Sequence, residues 1–508
     1  MAENFQMLFY GLGVAFSPMN LLACIVGGIM GLIVGAVPGI GAVAGCSLLL
    51  PITYSINPTA AIIMLAGIYY GNMYGGAYSA IMLNIPGDSP AVITALEGHP
   101  LTKRGLAGKA LYTANYASFI GGTIGILFLT AIGAPLAKIG LKFGPAETAS
   151  LIFMALTSIG WLLGDNPAKG LIATGLGVII SNIGMDASSA NFRYTFGSTS
   201  LLSGIEFIPL VIGMFGLSQV MLLMNEDSAQ TQANKFKGKL KLRESFLKKK
   251  EMLSLLPVNI RASLLGTFIG FLPGAGGTTA SFLSYILEKK VNKNREKMDG
   301  KQGTLDGICA SESANNAAAA GAFIPLLSFG IPGSAATAVL LGGLLAWGLK
   351  PGPLLFQNEP DFVWGLIGSM YIGNIICLII GMAAIPFMVK LLKIQNNILA
   401  PMIIVVCIVG AYANNNSMFD VVVMLAAGVL SYFLQKNGFA VTPLILAYVL
   451  APLFEMKVRQ ALEISNGNLT TFLTKPISLF FLLVAFTLLI APMVMKIVKK
   501  KSEQRRLV

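Results

Sequence analysis

The chain has 508 residues, of which 55% are hydrophobic and only 11% are charged. A soluble globule of this length needs more polar side chains to cover its surface, so the composition excludes a soluble protein and predicts a membrane protein. The net charge of +13 does not indicate a nucleic-acid partner, because 21 of the 35 basic residues lie in three short segments. These segments are Lys235–Arg261, Lys289–Lys301 and Lys496–Arg506. The positive-inside rule places all three in the cytoplasm.

The N-terminal stretch from Asn4 to Gly87 contains no charged residue. It is several times longer than the ~20 residues of one spanning helix, so it is predicted to enter the membrane more than once. Met1 to Gln6 lack the basic segment and the small-residue cleavage site of a secretory signal. No cleaved signal peptide is therefore expected.

The five cysteines stand singly in apolar surroundings, which predicts neither a disulfide framework nor a zinc site. We interpret them as small buried hydrophobic side chains and predict no metal site. They are Cys24, Cys46, Cys309, Cys377 and Cys407.

Two pairs of segments indicate an internal duplication. Gly31 to Gly41 aligns with Gly266 to Gly276, with five of eleven positions identical, and Ile85-Pro86-Gly87 aligns with Ile331-Pro332-Gly333. Both alignments are explained if one half of the chain was duplicated. The predicted repeats are residues 1–230 and 262–508, joined by a basic segment at 231–261.

The loop charges predict how each half faces the membrane. The apolar stretch 262–288 lies between two basic segments, so it is predicted to enter and leave on the cytoplasmic side as a re-entrant hairpin with its tip at 273–277. The matching hairpin of the first half is predicted at 18–52. Residues 99–109 are basic, whereas their counterpart at 351–361 is acidic. This reversal predicts inverted topology, with the N-terminus periplasmic and the C-terminus cytoplasmic.

The predicted fold class is therefore all-α: a polytopic transmembrane protein with inverted repeats, two re-entrant hairpins and discontinuous helices. Broken crossings are predicted at about 59–97 and 305–349, followed by further spans to about 223 and about 495. In the basic segment, basic and apolar residues alternate in a pattern that suits a helix on the cytoplasmic surface. This helix is either an arm that braces a mobile unit or a solvated linker.

Proline and glycine clusters at membrane depth interrupt the helical hydrogen-bond ladder, and such backbone must be buried or line a watery cavity. The amides that begin the following half-helix suit a carboxylate or phosphate group. For the Gly-x-x-x-Gly glycines at 31, 35, 266 and 270, close helix packing is the favoured interpretation. The predicted substrate-binding residues are Pro38, Gly39, Gly41, Asn84, Pro86, Gly87, Ser89, Pro273, Gly274, Gly276, Gly277, Thr278, Pro332, Gly333 and Ser334.

A carboxylate and two amides occur together in a small-residue segment of the second half, at Glu312, Asn315 and Asn316. An ionisable residue inside the membrane is a functional hypothesis by default. We predict that these residues and Thr337 couple transport to Na+ or H+; the alternative is that Glu312 meets water at the cytoplasmic end. For Asp88, in the first half, capping of a half-helix is the simpler interpretation.

No ATP-binding loop, zincin helix or nucleophile elbow is present, so neither an ATP-driven pump nor an enzyme is predicted, and no cofactor is expected. The first hypothesis is ion-coupled import by an elevator-like movement of a unit that carries both hairpins. The competing hypothesis is a channel or a scaffold subunit whose Pro-Gly breaks form a pore or a docking surface.

At these motifs the chain resembles the large membrane subunit of the tripartite tricarboxylate transporters over nearly its whole length. The segments that carry the resemblance are 35–41, 69–76, 85–89, 271–276, 312–317 and 326–333, supported by 193–197 and 348–353. The resemblance implies a secondary carrier in the bacterial inner membrane, driven by an ion gradient. It also implies two partners, a small membrane subunit and a periplasmic binding protein that delivers citrate or another carboxylate.

Overall fold

The computed structural model describes residues 2–37, 39–162, 167–186, 189–224, 246–293, 295–298, 300–391 and 396–490. These residues are mostly helical, and the predicted all-α class is confirmed. In the described ranges, strands occur as one short antiparallel pair, β1 (Gly184–Met185) and β2 (Phe192–Arg193).

The helices follow the apolar segments of the sequence. Those before the basic segment are α1 (Ala2–Ala15), α2 (Pro18–Ala36), α3 (Gly41–Leu49), α4 (Pro58–Leu83), α5 (Val92–Lys103), α6 (Ala107–Gly140), α7 (Pro145–Leu162), α8 (Pro167–Ser181), α9 (Phe207–Val211) and α10 (Ser218–Leu223). A π-helical turn, Ile212–Leu217, joins α9 to α10.

The helices after the basic segment are α11 (Lys249–Phe271), α12 (Gly276–Val291), α13 (Leu305–Gly321), α14 (Phe323–Phe329), α15 (Ala335–Ala346), α16 (Leu355–Asn358), α17 (Pro360–Leu391), α18 (Asn396–Asn415), α19 (Met418–Lys436), α20 (Thr442–Ile464), α21 (Thr471–Thr474) and α22 (Pro476–Ile490). Much of the predicted basic arm at 231–261, namely residues 231–245, and the C-terminal basic residues lie outside the described residues. From Lys249 onward the arm is continuous with the helix that precedes the second Pro-Gly cluster.

Within the described ranges, five helices are long and apolar enough to cross a membrane. They are Pro18–Ala36, Ala107–Gly140, Lys249–Phe271, Pro360–Phe387 and Met418–Lys436. By length and composition these are the helices of a multi-pass membrane protein.

The helices divide into two compact units. The first unit comprises Met1–Lys138 and Glu206–Phe433 and contains every predicted site residue. Its central helix is α4, which is buried without interruption from Ala60 to Leu83. The five cysteines are buried and unpaired.

The second unit comprises Ile139–Ile205 and Leu434–Val508. Within it, the guanidinium group of Arg193 donates to both carboxylate oxygens of Glu455, at 2.9 and 3.0 Å, and to Asp186 at 2.9 Å. This paired geometry ties the β1–β2 connection to α20.

Close helix crossings in the first unit depend on glycine. A Cβ placed on Gly35 would lie 2.8 Å from Cα of Asn72 in α4, and one on Gly270 would lie 2.7 Å from Cα of Ala318 in α13. Gly31 and Gly266 make equally close approaches to α4 and α13. All four glycines of the two Gly-x-x-x-Gly pairs therefore lie where two helix backbones touch.

Candidate functional site

The first Pro-Gly break, residues 37–41, separates α2 from α3. Val37 is extended (φ −80°, ψ 113°), and Gly39 and Gly41 have positive φ angles of 90° and 69°. Residues with a side chain rarely adopt a positive φ angle, which explains why glycine occupies both positions. Pro38, also predicted to bind substrate, lies outside the described residues.

The second Pro-Gly break, residues 272–276, separates α11 from α12 and has the same backbone conformation. Leu272 is extended (φ −77°, ψ 122°), and Gly274 and Gly276 have φ angles of 80° and 62°. The amide of Gly274 donates to the carbonyl of Gly333 at 3.1 Å. This bond joins the second Pro-Gly break to the Ile-Pro-Gly segment that follows α14.

The two Ile-Pro-Gly breaks, residues 85–88 and 331–334, also match. Each follows a helix that ends in a left-handed residue, Asn84 (φ 61°) after α4 and Gly330 (φ 72°) after α14. The glycine of each break packs against a backbone carbonyl of the helix before the Pro-Gly break: Gly87 against Gly35, and Gly333 against Gly270. In each half the structure therefore places the glycine of the Ile-Pro-Gly break against the helix that precedes the Pro-Gly break.

The carboxylate of Asp88 does more than cap its own turn. It accepts from the amide of Ser89 at 2.7 Å, from the amide of Ala42 in α3 at 3.1 Å, and from Nδ2 of Asn72 at 2.8 Å. The amide of Ala42 belongs to the first turn of α3, where the helix dipole attracts a negative charge. The carboxylate of Asp88 therefore occupies the start of α3, where the substrate was predicted to bind.

In the second half the position equivalent to Asp88 is Ser334. Its hydroxyl accepts from the amide of Thr337 at 3.3 Å, and the Thr337 hydroxyl accepts from the amide of Ser334 at 2.8 Å, which forms a capping box at the start of α15. The hydroxyl of Tyr69 in α4 lies 3.1 Å from Ser334 Oγ. This contact joins the central helix of the first half to the second Ile-Pro-Gly break.

Glu312 lies on α13 and is completely buried. Its carboxylate accepts hydrogen bonds from the hydroxyl of Thr94 in α5 and, at 3.2 Å, from Ser118 in α6. The hydroxyls of Thr94 and Ser311 are 3.0 Å apart. Among the described residues Glu312 forms no ion pair, so hydroxyl groups alone solvate this carboxylate.

The two asparagines of the predicted coupling site have different surroundings. Asn316 donates from Nδ2 to the backbone carbonyl of Glu312 at 3.0 Å. Oδ1 of Asn315 is buried and has no hydrogen-bond partner in the described part of the chain. It lies beside Gly277 in the first turn of α12, where Pro90 of the first half also approaches. Asn315 therefore meets the second Pro-Gly break.

Sequence reasoning missed four side chains of this region. Thr94 and Ser118 hold Glu312, Asn72 holds Asp88, and Tyr69 contacts Ser334. Single hydroxyl groups in apolar helices are common and give little signal. Tyr69 and Asn72, however, stand in the polar run 69–76 within an uncharged stretch, and such a run is a signal that could have found them.

Glu97, which the sequence did not mark as a site residue, fastens the loop between α12 and α13. Its fully buried carboxylate accepts from the hydroxyl of Tyr285, from the amide of Gly300 at 3.2 Å, and from the amide and hydroxyl of Thr304, each at 2.9 Å. Thr304 is the N-cap of α13, the helix that carries Glu312. Glu97 in α5 thereby fixes the start of the Glu312 helix.

Replacing Glu97 by alanine is expected to release this lysine-rich loop. Each hydrogen bond to a buried carboxylate contributes about 1.5–3 kcal/mol, so loss of the set should raise the rate of tryptic cleavage within 289–304 roughly tenfold or more. Cleavage of the purified protein would be followed by mass spectrometry. Glu296→Gln, at an exposed position of the same loop, is the matched control. Equal cleavage of E97A and E296Q would contradict this role.

Chemically, the region combines backbone amides at half-helix starts, a buried carboxylate and an unpartnered amide oxygen. In the described ranges no group of three or more His, Cys, Asp or Glu side chains is placed to hold a metal ion. The arrangement suits reversible binding of small charged solutes.

Comparison with known proteins identifies the family of the chain. Residues 21–446 match the Tripartite tricarboxylate transporter TctA family. An uncharacterized 52.8 kDa protein in the TAR-I ttuC' 3'region of Agrobacterium vitis is 36% identical over 508 residues, or 99% of each chain. An uncharacterized protein in the TAR-II ttuC' 3'region of that organism is 41% identical over 213 residues, or 42% of this chain and 87% of its own. No solved structure matches.

The family match covers most of the chain, and the TAR-I relative aligns from end to end. The resemblance read from the motifs is thereby confirmed. The chain belongs to the tripartite tricarboxylate transporter TctA family and is a transporter membrane component.

Proposed function

We propose that the chain carries a di- or tricarboxylate across the bacterial inner membrane, driven by a gradient of Na+ or H+. The observation that carries this proposal is that segments beside the breaks of the two halves meet within one unit. Tyr69 in α4 contacts Ser334 of the second Ile-Pro-Gly break, and Pro90, just after the first Ile-Pro-Gly break, approaches Gly277 in the first turn of α12. Backbone at these breaks leaves the helical ladder and presents amide groups to a small anion.

The matching conformations of the two pairs of breaks support inverted repeats with re-entrant hairpins. In each half a positive-φ glycine pair follows an extended residue, and the Ile-Pro-Gly glycine packs on the preceding helix. Two such halves, with opposite orientations in the membrane, provide the two-fold relation that alternating access requires. An elevator-like movement would carry the Pro-Gly breaks of both halves together.

The coupling ion is proposed to bind in the second half. Glu312 provides a carboxylate that is held by hydroxyl groups, and Asn315 provides an unpartnered oxygen. Oxygen ligands of this kind suit Na+, and a buried carboxylate also suits a proton. Thr337 and Asn316 complete the predicted set, although both bond to their own helices or caps.

The family also supports the proposed partners. A tripartite transporter implies a small membrane subunit and a periplasmic protein that delivers the substrate. In this arrangement the N-terminus is periplasmic, and the basic segments and the C-terminus are cytoplasmic.

Uptake by proteoliposomes tests the proposal. The chain is reconstituted with its small membrane subunit and binding protein, and a panel of radiolabelled di- and tricarboxylates is offered under imposed Na+ and pH gradients. We expect saturable uptake of at least one carboxylate that stops when the gradient is dissipated.

Two results would contradict the proposal that the chain is a carrier. Flux that does not saturate and needs no gradient would indicate a channel. No uptake from a complex that still binds its partners would indicate a scaffold subunit. Empty liposomes and liposomes with the binding protein alone are the controls.

A further inference from the structure

We infer that the anionic group of the substrate binds at the second Pro-Gly break alone, because the carboxylate of Asp88 already occupies the first. This inference rests on the proposed function and narrows its site from two breaks to one. Asp88 acts as an internal counterpart of the substrate. Ser334, its equivalent in the second half, leaves the corresponding position to the substrate.

The two breaks differ in what lies against their last glycine. A Cβ placed on Gly41 would lie 3.2–3.3 Å from Cγ and both carboxylate oxygens of Asp88. A Cβ placed on Gly276, the equivalent position, would meet no atom of the described residues within 4 Å. The next amide in the first half, that of Ala42, donates to Asp88 at 3.1 Å.

The difference between the breaks comes from a side chain and not from the backbone. Asp88 has φ −142° and ψ 160°, and Ser334 has φ −150° and ψ 169°. The preceding glycines, Gly87 and Gly333, pack against equivalent carbonyls. A carboxylate at position 334 would therefore point toward the start of α12 as that of Asp88 points toward α3.

An unpartnered polar group faces the second Pro-Gly break. Asn315 is 2% exposed, and its buried Oδ1 has no hydrogen-bond partner among the described residues. It lies 2.5 Å from the position of a Cβ on Gly277, at the first turn of α12. The 16-residue α12 directs its amides and the positive end of its dipole to this place. A carboxylate bound together with its coupling cation would satisfy both the amides and the Asn315 oxygen.

The main test gives the second break its own carboxylate. Ser334→Asp is compared with Ser334→Asn, which has the same size but no charge, in the uptake assay with whichever carboxylate the wild type transports. KM of S334D is expected to exceed that of S334N roughly tenfold or more, because the new carboxylate competes for the same amides. Equal KM values for the two variants would overturn the inference.

A second test needs no transport and does not depend on S334D being folded. Asp88→Ala removes the internal carboxylate, so free acetate should bind to the α3 amides in its place. Thermal unfolding of purified D88A is measured in acetate and in chloride at equal ionic strength. We expect acetate to raise the melting temperature of D88A by more than that of the wild type, because the variant has two open breaks and the wild type has one. Equal effects on both proteins would overturn the inference that these amides hold a carboxylate.

The two tests separate this inference from the proposed function. If the wild type transports no carboxylate but acetate stabilises D88A, the proposed function fails while the anion site at the first break stands. If the wild type transports a carboxylate and S334D has the KM of S334N, the proposed function stands and the single-site inference fails.

Discussion

Replacing Glu312 by glutamine is expected to lower gradient-driven uptake roughly 10- to 100-fold, the range typical of a lost coupling interaction. The side chain is completely buried, and its carboxylate is held by Thr94 and Ser118. Glutamine has the same shape and still accepts a hydrogen bond, but it carries no charge and takes up no proton. Ion binding should therefore be lost while the packing of α13 is kept.

The E312Q experiment compares uptake with folding. Initial rates are measured in proteoliposomes against Na+ concentration and pH, and thermal unfolding is measured on the same preparation. Because a neutral group replaces a buried charge, the free energy of unfolding should fall by less than about 1 kcal/mol or should rise. Glu296→Gln removes a charge at an exposed position and is the control. If the uptake rate of E312Q depends on Na+ and pH as that of the wild type does, Glu312 does not take part in ion coupling.

A substitution at Thr94 is expected to have a smaller effect on ion-dependent uptake than E312Q has. Thr94→Val removes the hydroxyl that donates to Glu312 and keeps the shape of the side chain. It should weaken the ion dependence less than E312Q does, because Ser118 still donates to the same carboxylate. An effect on Vmax with unchanged apparent ion affinity would contradict a positioning role.

The helices and breaks were predictable because their signals are local. Apolar length marks a spanning helix, and paired glycines mark positions where the backbone adopts positive φ, as at Gly39 and Gly41 and at Gly274 and Gly276. The burial of Glu312 was also predictable, because a carboxylate in a small-residue segment between apolar helices is rare. These features need no knowledge of distant contacts.

The contacts of the site were not predictable, because they join residues far apart in the chain. Thr94 and Glu312 are brought together by the packing of α5 on α13, and no periodicity in the sequence encodes that pairing. The bond from Ala42 to Asp88 likewise depends on how α3 meets the first Ile-Pro-Gly break. Capping was therefore the natural interpretation of Asp88, and its role at the first Pro-Gly break emerged only from the structure.

Replacing Gly35 by alanine is expected to destabilise the first unit by about 1–3 kcal/mol, the usual effect of overpacking. A Cβ at this position would overlap the backbone of α4 at Asn72. A helix backbone cannot rotate away from the overlap as a flexible side chain can. Gly270→Ala should act in the same direction, because its Cβ would overlap Ala318 in α13. Thermal unfolding of the purified protein measures both effects.

Gly13→Ala is the matched control for these variants. Gly13 also lies within a helix, α1, but a Cβ there would meet no atom within 4 Å among the described residues. Alanine favours a helix by about 1 kcal/mol over glycine, so G13A should be neutral or more stable. If G35A were as stable as G13A, α2 and α4 would not cross this closely. Gly87, which packs on the carbonyl of Gly35, and the neighbouring Asp88 would then be misplaced. The same melting curves therefore test the packing and the geometry on which the single-site inference depends.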